Sequence, residues 1–439
     1  MKSRSGEPEA VPGPGMAPAG RGAASPGARR RAWAAVAAVV STTAMSLALT
    51  AAPVHAGPPA PTVYDPTGLA WGDNYEGKLG DGTEEDRSSP VQSVGLPALT
   101  AVSAGQGFGV GLDVDGTVWT WGINSWGQLG TGSAEYSRAK PAQVPGLTGV
   151  VQIATGRAHV VALRGDGTVW TWGYNGVGAL GDGHAGTNRS WPEPVPHLDG
   201  VRQVAAGANH SLVLKDDGTV WGFGKSGDGQ LGAGTTSEPW FDSPVEIHGV
   251  GPDVVQISGS ELSSALVRGD GTVWAWGNNE CGLVRPGTDQ NQVYADPVRI
   301  PRVENVIKIT TGDANTLVIS SHDGKQGQVI GWGCNQHNEL GLHHDGSIPR
   351  PVEGLPATMT EVSNRNYHTA ARSSDGTVWT SGSNSDGQLG HGPVGGYPVG
   401  PAQVPGLTGA VHVSAGMDFT LAVAPPILEK IDPDKGGKG

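Results

Sequence analysis

The sequence predicts an all-β fold: a ring of seven four-stranded antiparallel blades, closed by its own C-terminal strands. Three observations carry this. The glycine of a Trp-Gly step, or of a substitute for it, recurs at Gly72, Gly122, Gly173, Gly224, Gly277, Gly333 and Gly382, with spacings of 50, 51, 51, 53, 56 and 49 residues. Each complete unit holds four strand-like runs punctuated by turn signals. The first unit lacks its opening half, and a matching half stands at the far end of the chain. Units of this size cannot bury a core alone, so they must stack.

The third unit shows the grammar. Val151–Ala154 reads as a short strand, Thr155–Ala158 as a turn and His159–Leu163 as a second strand. Asp166-Gly167 supplies the positive φ of a hairpin turn. Thr168–Trp172 is a third strand, apolar on both faces as a doubly buried strand should be. A Gly-rich loop follows, then a short strand near Pro194-Val195. Four antiparallel strands in such a span are the content of one β-propeller blade.

Ten tryptophans fall in the third strands: Trp71, Trp119, Trp121, Trp170, Trp172, Trp221, Trp274, Trp276, Trp332 and Trp379. Pairs two apart share a face, where large rings fill the space between stacked sheets rather than hold a cofactor. The small residues Ala104, Ala154, Ala206 and Ala415, near the ends of first strands, suit a crowded ring centre. Val411–Gly416 and Phe419–Val423 supply the strands that the Trp71-Gly72 unit lacks, and pairing them removes free sheet edges. Two units depart from the grammar. Unit six has a longer hairpin over His322–Gly327, and unit five carries Gly282-Leu283-Val284-Arg285 in place of Gly-Gln-Leu-Gly.

The chain of 439 residues has 72 Gly and 33 Pro and a formal charge of -13. The first 56 residues hold six of the 28 Lys and Arg and two of the 41 Asp and Glu, leaving a net of -17 downstream. Such a surface repels phosphate backbones, and no basic stripe with interleaved aromatics is present; nucleic acid is excluded as a partner class. Arg29–Arg31, the apolar run Ala32–Ala52 and Val54-His55-Ala56 read as an export signal cut after Ala56. The run is also long enough to stay as a membrane anchor. The division that follows is a disordered, signal-bearing region 1–56, a lead-in 57–68, a propeller 69–423 and a loose tail 424–439. The expected location is secreted, or membrane-anchored through residues 32–52. Cys281 and Cys334 follow the Trp-Gly step in consecutive units; outside the cell they form a disulfide between neighbouring loops, or else remain two thiols.

At Ala206-Gly207-Ala208-Asn209-His210-Ser211-Leu212, Asp217-Gly218-Thr219-Val220-Trp221 and Gly229-Gln230-Leu231-Gly232 the sequence resembles the regulator of chromosome condensation repeat. The resemblance runs from about Leu69 to Val423 and implies a seven-bladed propeller. The family's eukaryotic founder is a nuclear guanine-nucleotide exchange factor, whose activity rests on loops with no counterpart here. A secreted bacterial propeller that inhibits β-lactamase is similar in its Ala-Gly-x-x-His and Trp-Gly-x-Asn steps, but has shorter repeats. The resemblance therefore implies a secreted bacterial member, with enzyme inhibition and nucleotide exchange as alternative functions.

No catalytic constellation emerges. His159, His210 and His368 share one repeat position with Phe108, Leu262, Asn315 and Phe419, which no ring of metal ligands or catalytic bases would tolerate. The Asp-Gly hairpins lack the alternating ligands of a calcium loop. No Gly-Lys-Ser/Thr step marks a phosphate loop, and no Gly-x-Ser-x-Gly elbow marks a hydrolase. No cofactor or metal is expected, and the chain reads as a non-enzyme. The turn after strand one and the long loop after Trp-Gly lie on the same face. Its aromatics Tyr75, Trp126, Tyr174, Trp191, Trp240, Phe241 and Tyr397 are candidate contacts for an extracellular or cell-surface protein, against ordinary loop packing. Tyr75, Trp126 and Tyr174 are expected to form one arc, flanked by Glu76, Asn124, Asn175, Asp228 and Asp386.

Overall fold

The computed structural model describes residues 65–426 apart from 291, 323–324, 342–345 and 396–398. The expected export signal, most of the lead-in and the tail beyond 426 lie outside the described residues. Among those described, the strands make seven four-stranded antiparallel sheets.

Blade 3 runs from the ring centre outward as Val150–Thr155, His159–Arg164, Val169–Gly173 and Arg189–Pro194. The outer strand starts earlier than the sequence suggests and ends at Pro194. Proline donates nothing to a ladder and is tolerated on an edge. Blade 1 is composite: His412–Ala415 and Phe419–Ala424 join Thr67–Gly72 and Arg87–Gln92. Thr67 to Gly72 pair with Ala424 to Phe419 without a slip in register.

The repeated glycine has a steric cause. Gly72, Gly122, Gly173, Gly224, Gly277, Gly333 and Gly382 all have φ between 94° and 113°. At Gly173 a Cβ would stand 2.4 Å from the Ala158 carbonyl oxygen. Only glycine tolerates both constraints, so the third strand must end there.

The tryptophan before that glycine binds one blade to the last. Trp121 is fully buried among Ala70, Leu79, Leu99 and Val102, and its Nε1 donates to the Lys78 carbonyl of blade 1 at 2.9 Å. Trp172 donates to the Gln128 carbonyl, Trp276 to that of Gln230 and Trp332 to that of Leu283. Trp71 donates to the Gln388 carbonyl of blade 7 at 2.9 Å, which closes the ring. Blade 4 has Phe223 at this position; in blade 7, Ser381 reaches the Glu339 carbonyl instead. A buried indole satisfied at Nε1 contributes both packing and a bond, and truncating one costs about 3–5 kcal/mol.

The inner strands are clasped as well. Gln152 exchanges two hydrogen bonds of 3.0 Å with the backbone of Val204, one blade on. Gln256 does the same with Ile309.

Candidate functional site

The long loops owe their shape to an asparagine two residues after the Trp-Gly glycine. In six blades its Oδ1 accepts the backbone N–H five residues on: Asn74 from Leu79, Asn124 from Leu129, Asn175 from Leu180, Asn279 from Val284, Asn335 from Leu340 and Asn384 from Leu389. The amide nitrogen donates back into the loop, as Asn124 does to the carbonyls of Ser133 and Glu135. Asn124 and Asn175 are thus buried staples and not surface contacts.

On this frame blades 1–3 raise a group of aromatics. Trp126 and Tyr174 meet edge to face across the blade 2–3 boundary, with ring centroids 5.4 Å apart. Tyr75 is 66% exposed and Trp126 47%, while Tyr174 is half-buried. Tyr75 does not join that pair. Its neighbour is Tyr136, 61% exposed, whose hydroxyl sits beside the buried Glu76 carboxylate, which pushes the phenol above its ordinary pKa. Glu76 has φ 63°, and its Oε1 has no hydrogen-bond partner among the described residues.

The remaining aromatics lie elsewhere. Trp191, Trp240 and Phe241 belong to outer strands and not to loops. Trp191 covers Gly132, where a Cβ would stand 1.7 Å from its ring. Trp240 is exposed on the rim, and Phe241 packs against the core that holds Leu231 and Trp276. Tyr397 lies outside the described residues.

The ring centre holds a channel of about 270 Å³ lined by the inner strands. At its mouth on the loop face, Arg157 pairs with Glu261 at 3.0 Å. Arg365 of blade 7 reaches past blade 1 to the Ala104 carbonyl at 2.7 Å. Burial lowers the Arg365 pKa, and Asp313 opposes that.

The histidines are inter-blade pins. His159 Nε2 meets Ser211 Oγ at 3.1 Å, His210 meets Ser264 at 2.8 Å and His368 meets Thr420 at 2.9 Å. Each hydroxyl donates its proton to a carbonyl: Ala179, Gln230 and Gln388 respectively. The histidine must therefore be the donor, which fixes the neutral Nε2–H tautomer. Burial pushes His159 and His210 down to about 3 and His368 to about 4. Their blade 5 counterpart is Ser263, opposite Gly277, and not Leu262. The Asp-Gly turns at Asp166, Asp217, Asp270 and Asp375 are tied by the threonine two residues on, as Asp166 is by Thr168; in blade 2 Asp113 accepts the Thr117 N–H instead. The described residues contain no cluster of three or more metal-ligating side chains.

Two family models match the chain. The RCC1-like domain covers residues 141–425, about two-thirds of the chain. The regulator of chromosome condensation (RCC1) repeat covers 69–112 and 115–163. The chain belongs to the RCC1-like propeller family. It is 28% identical over 303 residues to the ultraviolet-B receptor UVR8 of Arabidopsis thaliana, covering 66% of this chain and 67% of the receptor. It is 29% identical over 377 residues to the human E3 ubiquitin-protein ligase HERC2, covering 80% of this chain but only 7% of the ligase. Among solved structures, human WBSCR16 superposes with a TM-score of 0.70 at 25% identity, covering 82% of this chain and 99% of that one. Yeast RCC1 (Prp20) bound to Kap60 superposes at 0.73 and 21% identity, covering 85% and 91%, a likeness of fold alone.

This RCC1-like chain also has features that its sequence did not single out. Tyr136 stands where the long loop meets the outer strand of blade 2, outside the Trp-Gly register. Tyr367, 44% exposed at the channel mouth, stacks on His337 with centroids 4.2 Å apart. Cys281 and Cys334, which the sequence did single out, are joined in a disulfide between the loops of blades 5 and 6.

Proposed function

We propose that this chain is a secreted, non-enzymatic propeller that binds a protein through its long-loop face, with Tyr75, Trp126 and Tyr136 as anchors. The observation that carries the reading is the concentration of exposed aromatics on blades 1–3, held by loops that buried asparagines staple across their span. Rigid loops bearing large rings lose little entropy on binding and make effective contacts. Relatives add support: the solved structures include yeast RCC1 bound to Kap60, and Prp20p is described with binding properties to Gsp1p and histones. The signal expected over Arg29–Ala56 favours a partner outside the cell or on its surface. The test is affinity capture from extracellular and cell-surface protein, using the chain and its Tyr75→Ala/Trp126→Ala/Tyr136→Ala variant. A partner held by the first and lost by the second supports the reading. A partner held equally by both refutes the aromatic site.

A further inference from the structure

Between blades 2 and 3 on the loop face lies a cleft of about 360 Å³, lined by Ser125, Trp126, Glu135, Tyr136, Asn188 and Ser190 among others. Small-molecule clefts begin at roughly 300 Å³. We propose that this cleft is a binding subsite for a neutral saccharide, with Trp126 as the stacking platform and Asn188 as the orienting hydrogen-bond donor.

Three features select that ligand class. The walls are aromatic and preset: Trp126 is 47% exposed, yet its edge-to-face contact with Tyr174 fixes the ring. The polar lining is mostly hydroxyl and amide. Asn188 Oδ1 accepts the Asn175 N–H at 2.9 Å, and its Nδ2 makes no hydrogen bond among the described residues, so a donor remains on an exposed side chain. The one carboxylate, Glu135, is neutralised by Arg138 at 2.7 Å. A phosphate or other anion would need a cation in the lining, and none is there. An anchoring protein side chain would need a dry apolar pocket, but the only aliphatic residue in the lining is Ala134. A polyhydroxylated ring, apolar on its C–H face and hydrogen-bonding at its rim, matches both components.

The cleft shares Trp126 and Tyr136 with the proposed protein site, so the test separates the two readings through Asn188 and Tyr75. The full chain is titrated with cellotetraose, chitotetraose and maltotetraose by calorimetry. At least one is expected to bind, about tenfold or more weaker to Trp126→Ala, a difference of about 1.4 kcal/mol. The second variant, Asn188→Asp, keeps the acceptor and removes the donor; Asp86 already makes the matching bond to Asn74 in blade 1. It should fold as the parent does and bind several-fold more weakly. Tyr75→Ala should bind saccharide normally, although it weakens protein capture. No binding of the three sugars to the parent chain, or binding that Trp126→Ala and Asn188→Asp both leave intact, overturns the proposal whatever protein capture shows.

Discussion

Glu339 is almost wholly buried, with 1% of its surface exposed. It occupies the loop position held by Gln128, Gln230 and Gln388 in other blades. There the glutamine Oε1 accepts the N–H two residues before it, as Gln388 does from Asp386; Glu339 Oε2 accepts from His337 at 2.8 Å. Burial raises the Glu339 pKa from 4.5 to about 7. A folded-state pKa above the unfolded one gives stability that is complete below pH 4.5 and is lost as pH rises through about 7. That interval corresponds to a ceiling of about 3 kcal/mol. Glutamine preserves the acceptor and does not titrate. Glu339→Gln should therefore match the parent near pH 4 and exceed it by up to about 3 kcal/mol at pH 8. At about 2.1 cal/mol/K per residue over a propeller of this size, that is a rise in Tm of about 4 °C. Calorimetric melts from pH 4 to 9 read it directly. A difference independent of pH, or a variant weaker at pH 8, would show that the carboxylate makes a bond the amide cannot replace.

Other consequences follow from the same structure. His368 has a folded-state pKa lowered to about 4, so its contribution is complete above about pH 6.5 and is lost as pH falls toward 4. His368→Phe, the residue type of blade 2 at Phe108, should flatten the acid limb of a stability–pH curve by about 1.4 kcal/mol per pH unit; an unchanged slope would contradict the neutral tautomer. The Cys281–Cys334 bond spans 53 residues of sequence, so reduction or Cys281→Ser/Cys334→Ser should cost up to about 4 kcal/mol in denaturant melts. Trp71→Phe removes the indole bond that closes the ring and should cost about 1 kcal/mol; no loss would mean that strand pairing alone holds the closure.

The architecture was legible because its cause is local. A glycine forced to φ near 100°, a tryptophan before it and an Asp-Gly turn before that recur in almost every unit, and none needs a distant partner to be recognised. The missing first half-blade and its C-terminal replacement were equally visible. The loops were less so. The asparagines recur two residues after the glycine, but their buried, stapling role is not legible, because an asparagine beside Gly reads equally well as an exposed turn residue. Trp191, Trp240 and Phe241 were read as loop residues because the outer strands begin before the Pro-Val signal that marked them. Tyr136 was missed for the same reason. One register error, Leu262 for Ser263, arose because Gly259 ends the first strand of blade 5 one residue before the place that glycine holds in blades 3 and 4, so counting from it falls one residue short. Contacts between blades, such as Trp126 on Tyr174, depend on stacking that repeat spacing alone does not specify.

The central claim is that function resides on the aromatic arc of blades 1–3. Its most direct test is the capture experiment with the chain and its Tyr75→Ala/Trp126→Ala/Tyr136→Ala variant, with matching melting curves for both. The account predicts a partner that the parent retains and the variant loses. A partner retained equally by both, or none retained by the parent, would contradict it.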